Sequence, residues 1–284
     1  MMKQSSTRMV LIVGIVLSLI LLVACQPPAP PTETGGNANE NQAATTTGTT
    51  TGTTTTGTTT GETTGTTTGS TGNVTTKEPI SVDIVLDPVL ATGDASNLIP
   101  LLYTGLVIEG GAPGLADSWT VSEDGLTYTF RLHPGLTFSN GAPVDADAVI
   151  ANFDRWSNPD SPLRGSATYD AWKTAFGGFK GEKNADDTPV SSYDGMEKVD
   201  ARTVLIHLNR PVDNLIDLLA NPAFGIVDPS ALGKDAANYG TKAGSVAGVG
   251  PYMVQEWTDA HLVLAPNTGW IGTVPTDTLE YPFK

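Results

Sequence analysis

Side chains able to do acid–base, nucleophilic or metal chemistry are few in this chain and far apart. The candidates are one thiol, Cys25, and three histidines, His133, His207 and His261. Nucleophilic catalysis needs a base within hydrogen-bond reach of the nucleophile and a further group to orient that base, and no such set stands at a recognisable spacing. No HExxH, P-loop or GxGxxG-type phosphate cradle occurs. His207 lies in the alternating run Val204 to Leu208, where a histidine facing solvent is the ordinary reading. A single cysteine excludes an internal disulfide and a zinc site built on thiolates. Thirty acidic residues against 15 basic ones, a net charge of -15, argue against nucleic acid, which requires clustered Lys and Arg. The expectation is a protein without catalytic residues, cofactor or resident metal.

Cys25 has another chemistry open to it. Lys3 and Arg8 make a basic start, Met9 to Val23 is an almost unbroken apolar run, and Leu22-Val23-Ala24-Cys25 follows. The run is short for a spanning helix and suits the hydrophobic region of a secretory signal. The tetrad resembles the bacterial lipobox, in which the cysteine is lipidated and becomes the new N-terminus. The competing reading is an uncleaved anchor helix with an incidental cysteine. Both place the remainder outside the cytoplasmic membrane, on its extracellular or periplasmic side. Residues 26–78 begin with a Pro-rich stretch, and residues 45–72 contain only Thr, Gly, Glu62 and Ser70. Without large apolar side chains such a segment cannot offset its ordering entropy, so 26–78 reads as a disordered tether. About 50 Gly-rich residues span roughly 40 Å. An O-glycosylated stalk has the same composition.

The elements that must position any site begin near residue 79. Ile80, Val82, Ile84 and Leu86 alternate as in a strand. Asp94 or Ser96 can cap a helix bearing Leu98, Ile99, Leu101, Leu102 and Leu106, with Pro100 tolerable only in its first turn. Segments around Trp119 and Phe130 flank Ser122-Glu123-Asp124-Gly125 as a hairpin, and Ser139-Asn140-Gly141 marks a second turn. Asp145 fits the N-cap of a helix with Val149, Phe153 and Trp156 on one face. A strand at Val204, Ile206 and Leu208, a helix at Leu215 to Leu219, and strands near Ile226, Tyr252 to Trp257 and His261 to Leu264 complete the order. The result is an α/β, mixed α+β, lobe.

Six ordered blocks carry a family resemblance: Leu86-Asp87-Pro88; Leu102-Tyr103-Thr104-Gly105-Leu106; Pro113 to Trp119; Asp124 to Leu132; Phe138 to Pro143; and Gly248-Val249-Gly250-Pro251-Tyr252 with Glu256-Trp257 and Asn267 to Trp270. Together they resemble the extracellular solute-binding proteins of family 5, which serve ATP-binding-cassette importers of oligopeptides, dipeptides and, in some branches, nickel. Physics gives most of these residues structural work: turns at Pro113-Gly114 and Asp124-Gly125, core at Trp119 and Phe130. The resemblance implies a periplasmic-binding-protein-like class II lobe. It also implies solute contacts from Ala91 to Asp94, with Thr92, Gly93 and Asp94 as candidates, from Ser161 to Arg164 with Leu163, and from Asn221 to Phe224 with both end residues. For Asp94 the helix-cap role competes with ligand contact.

The chain departs from the family pattern at Lys284, before a second large lobe would follow. A fragment of a longer receptor and a natural half-receptor both fit, and a lone lobe is expected to bind solute weakly or not at all. Two functions follow. One is a lipid-anchored receptor that passes peptides or another small solute to permease subunits. The other is a tethered surface lipoprotein used for protein contact.

Overall fold

The computed structural model describes residues 72–284. Cys25, the leader and the tether up to residue 71 lie outside the described residues. The order is β1 (Val74–Thr76), α1 (Asp94–Leu102), β2 (Val107–Ile108), β3 (Ala112–Pro113), β4 (Ala116–Val121), β5 (Thr127–Leu132), α2 (Ala146–Ser157), α3 (Asp170–Phe176), β6 (Tyr193–Asp200), β7 (Thr203–Leu208), α4 (Leu215–Leu219), α5 (Pro229–Lys234), β8 (Tyr252–Trp257), β9 (His261–Pro266) and β10 (Thr278–Pro282). Short 3-10 turns cover Glu109–Gly111 and Pro222–Phe224. Among the described residues no helix is long and apolar enough to cross a membrane.

One four-stranded antiparallel sheet runs β4-β5-β7-β6. The β4–β5 hairpin closes where Ser122 Oγ donates to Asp124 Oδ1 at 2.6 Å, and Asp124 Oδ1 also accepts from the Leu126 N–H at 3.0 Å. Gly125 supplies the left-handed φ of 70° that this turn needs. Strict alternation sends Tyr128, Phe130 and Leu132 of β5, and Val204, Ile206 and Leu208 of β7, to the buried face. Helix α2 covers that face with Val149, Phe153 and Trp156. Its N-terminus is capped as expected, Asp145 Oδ1 accepting from the Ala148 N–H at 3.0 Å. α3 and α4 complete this core.

The second sheet runs β1-β10-β9-β8, with β1 parallel to β10 and the other pairs antiparallel. Leu262, Leu264 and Leu279 share its core with Leu98, Ile99 and Leu102 of α1 and Leu232 of α5. Helix α2 fastens the two cores together. Asn152 donates from Nδ2 to the Val227 carbonyl at 2.8 Å and accepts from the Val227 N–H at 3.1 Å, as a strand neighbour would.

Four expectations are corrected. The tether expected to reach residue 78 gives up its end, because Val74–Thr76 pair with Thr278, Leu279 and Glu280. Ile80 to Leu86 form no strand: Ile80 bridges Phe283, Val82 is exposed, and the Leu86 N–H donates to the Gly240 carbonyl. Near Ile226 there is again no strand, the Ile226 N–H going to the Thr104 carbonyl at 3.0 Å. Pro100 lies inside α1, past its first turn. Lacking an N–H, it cannot complete the bond to Ser96, and Leu106 falls outside the helix.

Candidate functional site

A buried ion pair sets the position of the loop that follows Leu86. Arg155 of α2 donates from Nη2 to Asp87 Oδ2 at 2.5 Å and from Nε to the Leu163 carbonyl at 3.0 Å. Both charged side chains are almost wholly buried. Burial works against the Arg155 charge, but Asp87 beside it more than compensates and holds the guanidinium above its ordinary value. Asp87 in turn accepts from the Val89 N–H through Oδ1, at 3.1 Å, and its carbonyl accepts from the N–H groups of Leu90 and Ala91. The loop through Thr92 is thus wound on one anchored aspartate.

The facing segment is the Pro222–Phe224 turn. Asn221 caps it, Oδ1 accepting from the Ala223 N–H at 2.9 Å, and Pro222 occupies the first helical position. Phe224 is buried, its ring 5.1 Å from Trp156 and 6.3 Å from Trp172. Between loop and turn run two depressions, and a third opens beyond the turn. The first, of about 240 Å³, is lined by Pro88, Ala91, Thr92 and Phe224 over Trp156 and Tyr169. The second, of about 230 Å³, shares Pro88, Ala91 and Ala223 with the first and adds Ser96 and Asn221. The third, of about 710 Å³, begins on the other side of Asn221 and Pro222. The first two form one trough over the 221–224 turn, and the third meets it at Asn221 and Pro222.

Three of the six residues expected to touch solute are brought together here: Thr92 and Phe224 in the first depression, Asn221 between the second and third. The others are placed elsewhere. Gly93 is the N-cap of α1, with φ of 56°. Asp94 is therefore not the cap, and its Oδ2 accepts from the Ser81 N–H at 2.8 Å and lies 3.9 Å from Lys284 Nζ. Leu163 packs on the core of α1. Two of the three histidines stand on the sheets, His207 Nε2 lying 3.2 Å from Glu197 and His261 Nδ1 3.5 Å from Glu280, and His133 follows the end of β5. Among the described residues no group of His, Cys, Asp and Glu could hold a metal ion.

Trp156 and Tyr169 were not anticipated as trough residues. The helical period of α2 marks Trp156 as core, and it is core on one side. Tyr169 has a left-handed backbone, φ 54° and ψ 42°, at the entrance to α3. Such strain costs roughly 1–3 kcal/mol and persists only where the surroundings hold it. Arg164 stacks on its ring at 3.9 Å and on Phe179 at 4.2 Å, and the Tyr169 hydroxyl accepts from the Gly165 N–H at 3.1 Å.

Behind the loop, Tyr103 donates its hydroxyl proton to the Leu86 carbonyl at 2.6 Å, and the Tyr239 hydroxyl lies 3.2 Å away. Burial, followed by the neighbouring Tyr239, pushes the Tyr103 phenol well above its ordinary value, and burial raises Tyr239 also. The neutral phenol is the folded form. This stabilisation is therefore complete below about pH 10, the ordinary tyrosine value, and is lost as pH rises beyond it. Circular dichroism against pH should show unfolding that begins above about pH 10 and moves to higher pH in Tyr103→Phe. An onset unmoved by that substitution would remove Tyr103 as the cause.

Comparison with known proteins agrees with this architecture. The glutathione-binding protein GsiB of Salmonella paratyphi A is 39% identical over 150 residues, which are 52% of this chain and 24% of GsiB. The chain thus spans about a quarter of the length of the curated relatives it matches. The periplasmic binding protein DppA of Helicobacter pylori, solved with the peptide STSA, superposes with TM-score 0.60 at 22% identity, over 75% of this chain and 43% of that one. The substrate-binding domain of an oligopeptide transporter from Bacillus anthracis gives TM-score 0.61 at 23% identity, over 76% and 42%. The α/β lobe accordingly has the fold of part of these binding proteins. The family model of the bacterial extracellular solute-binding proteins, family 5, matches residues 111–283, and the chain belongs to that family.

Proposed function

We propose that this chain is the solute-binding component of an ATP-binding-cassette importer, held at the outer face of a membrane by lipid on Cys25. It captures peptides, or another small solute of that size, and delivers them to the permease. The mechanism is capture and docking, without bond chemistry.

The observation that carries this reading is the trough between the Asp87-anchored loop and the Asn221-capped turn. It is built from Pro, Ala, Thr and aromatic side chains on a fixed backbone. A binder of varied peptides needs such a surface, because main-chain groups of the solute must be met while side chains are tolerated. Thr92, Asn221 and Phe224 are the contacts that we assign within it. The relatives support the solute class: one is named for glutathione, a tripeptide, and another was solved with a peptide.

The test is uptake. Deleting the gene should abolish most import of labelled glutathione or of short peptides. A copy with Cys25→Ala should lose membrane attachment and restore uptake only in part. Unchanged import of every peptide in the deletion strain would overturn the proposal.

A further inference from the structure

The widest depression differs in kind from the two beside the loop. Its walls are apolar, formed by Val107 and Ile108 of β2, Leu218 of α4, Pro251 and Trp270. Ile108 is 41% exposed, and Leu218, Pro251 and Trp270 are half-buried, so apolar surface faces the cleft. The charged residues lining the cleft are Glu109 and Asp217, both acidic and both exposed. The turn that carries Glu109 packs against α4, which carries Asp217. A β-carbon at Gly111 of that turn would lie 3.3 Å from Asp217 Oδ1, so the carboxylate sits directly over the turn. Among the described residues neither carboxylate has a salt-bridge partner.

An apolar cleft with two uncompensated carboxylates at its mouth favours one kind of occupant. A cation on an apolar stem buries the stem against Ile108, Leu218 and Trp270 and keeps its charge at the wet rim, opposite the carboxylates. The ion is then never fully desolvated, which is the cost that cancels most buried pairs. A neutral stem of equal length gains burial alone, and an anionic one is repelled. We infer that this cleft binds the side chain of a basic residue, lysine or arginine, in the peptide solute, with Glu109 and Asp217 as the residues that select it. The inference rests on the peptide-importer reading and adds a preference to it. The volume, about 710 Å³, exceeds that of either neighbouring depression and accommodates the longest side chains.

Calorimetry on the full chain with Ala-Lys-Ala, Ala-norleucine-Ala and Ala-Glu-Ala tests it. The lysyl peptide should bind roughly tenfold tighter than the norleucyl peptide at low salt, and the glutamyl peptide least well. The preference should vanish in the double variant Glu109→Gln/Asp217→Asn and shrink in about 0.5 M salt, whereas norleucyl binding stays unchanged. Both positions are exposed, so the variant keeps its fold, which its circular dichroism would verify. Equal affinity for the three peptides, a preference that survives the double variant, or no binding of any of them would overturn the inference. The importer reading stands or falls separately, on uptake in the deletion strain.

Discussion

Arg155→Ala is expected to lower unfolding free energy by about 3–5 kcal/mol, because it leaves the Asp87 carboxylate buried without its counter-charge. The pair at 2.5 Å is almost wholly excluded from water, and Asp87 would keep the Val89 N–H as its side-chain donor. The change also frees the Leu163 carbonyl from Nε, so the loop after α2 loosens with the loop after Leu86. Denaturant titration gives the number. The double variant Asp87→Leu/Arg155→Met should recover most of the loss, since an apolar pair of similar volume has no charge to strand. A cost below about 1 kcal/mol for Arg155→Ala would mean that water reaches the pair.

Trp172→Ala should cost a comparable amount, about 3–5 kcal/mol, for a different reason. Its ring lies 4.2 Å from Phe176, 4.9 Å from Tyr193 and 6.1 Å from Phe153, so it joins α3 to both α2 and β6. Its indole N–H donates to the Gly178 carbonyl at 3.0 Å. Removal therefore opens a cavity among edge-on rings and releases the 178 turn. Trp119 supplies the contrast: it is only partly buried against the same core, with Phe130 at 6.1 Å. Trp119→Ala should cost much less, and equal midpoints for the two variants in denaturant would refute the packing argument.

Elements whose burial repeats with their own period were legible before any coordinates. β5 and β7 alternate along inner faces, and α2 announces itself through Asp145 and the 149, 153, 156 spacing. β6 was not legible, because Tyr193–Asp200 is mostly exposed and its register shifts twice. α3 was missed for want of a capping side chain, since Tyr169 enters it in a left-handed conformation. Ile80 to Leu86 misled in the opposite direction: its alternation is real for Ile80, Ile84 and Leu86, but the backbone bonds of this stretch scatter to Pro282 and Lys284, to Asp94, to Gly240 and to Tyr103. The trough was legible only through the family resemblance. The 87–155 pair that fixes it joins residues 68 positions apart, a separation that no local pattern encodes.

The glycines before Pro251 meet a steric constraint from α1. A β-carbon at Gly248 or Gly250 would fall 2.2 Å and 2.4 Å from the carbonyls of Leu102 and Leu101, so this segment lies against the end of α1 with no room for a side chain.

The parallel pairing of β1 with β10 has a mechanical meaning. Tension carried along the chain from its N-terminal side enters the lobe at Val74–Thr76, three residues at the margin of a sheet. The hydrogen bond from the Lys77 N–H to the Glu280 carbonyl, and that from the Ile80 N–H to Pro282, extend the seam past the strand. Under load this seam is expected to peel first, because the antiparallel β8–β9–β10 pairing behind it shares none of its hydrogen bonds. Slack gained by releasing about eight residues, close to 27 Å when extended, would spare the rest of the lobe from the pull. The first strand would thus act as a mechanical fuse.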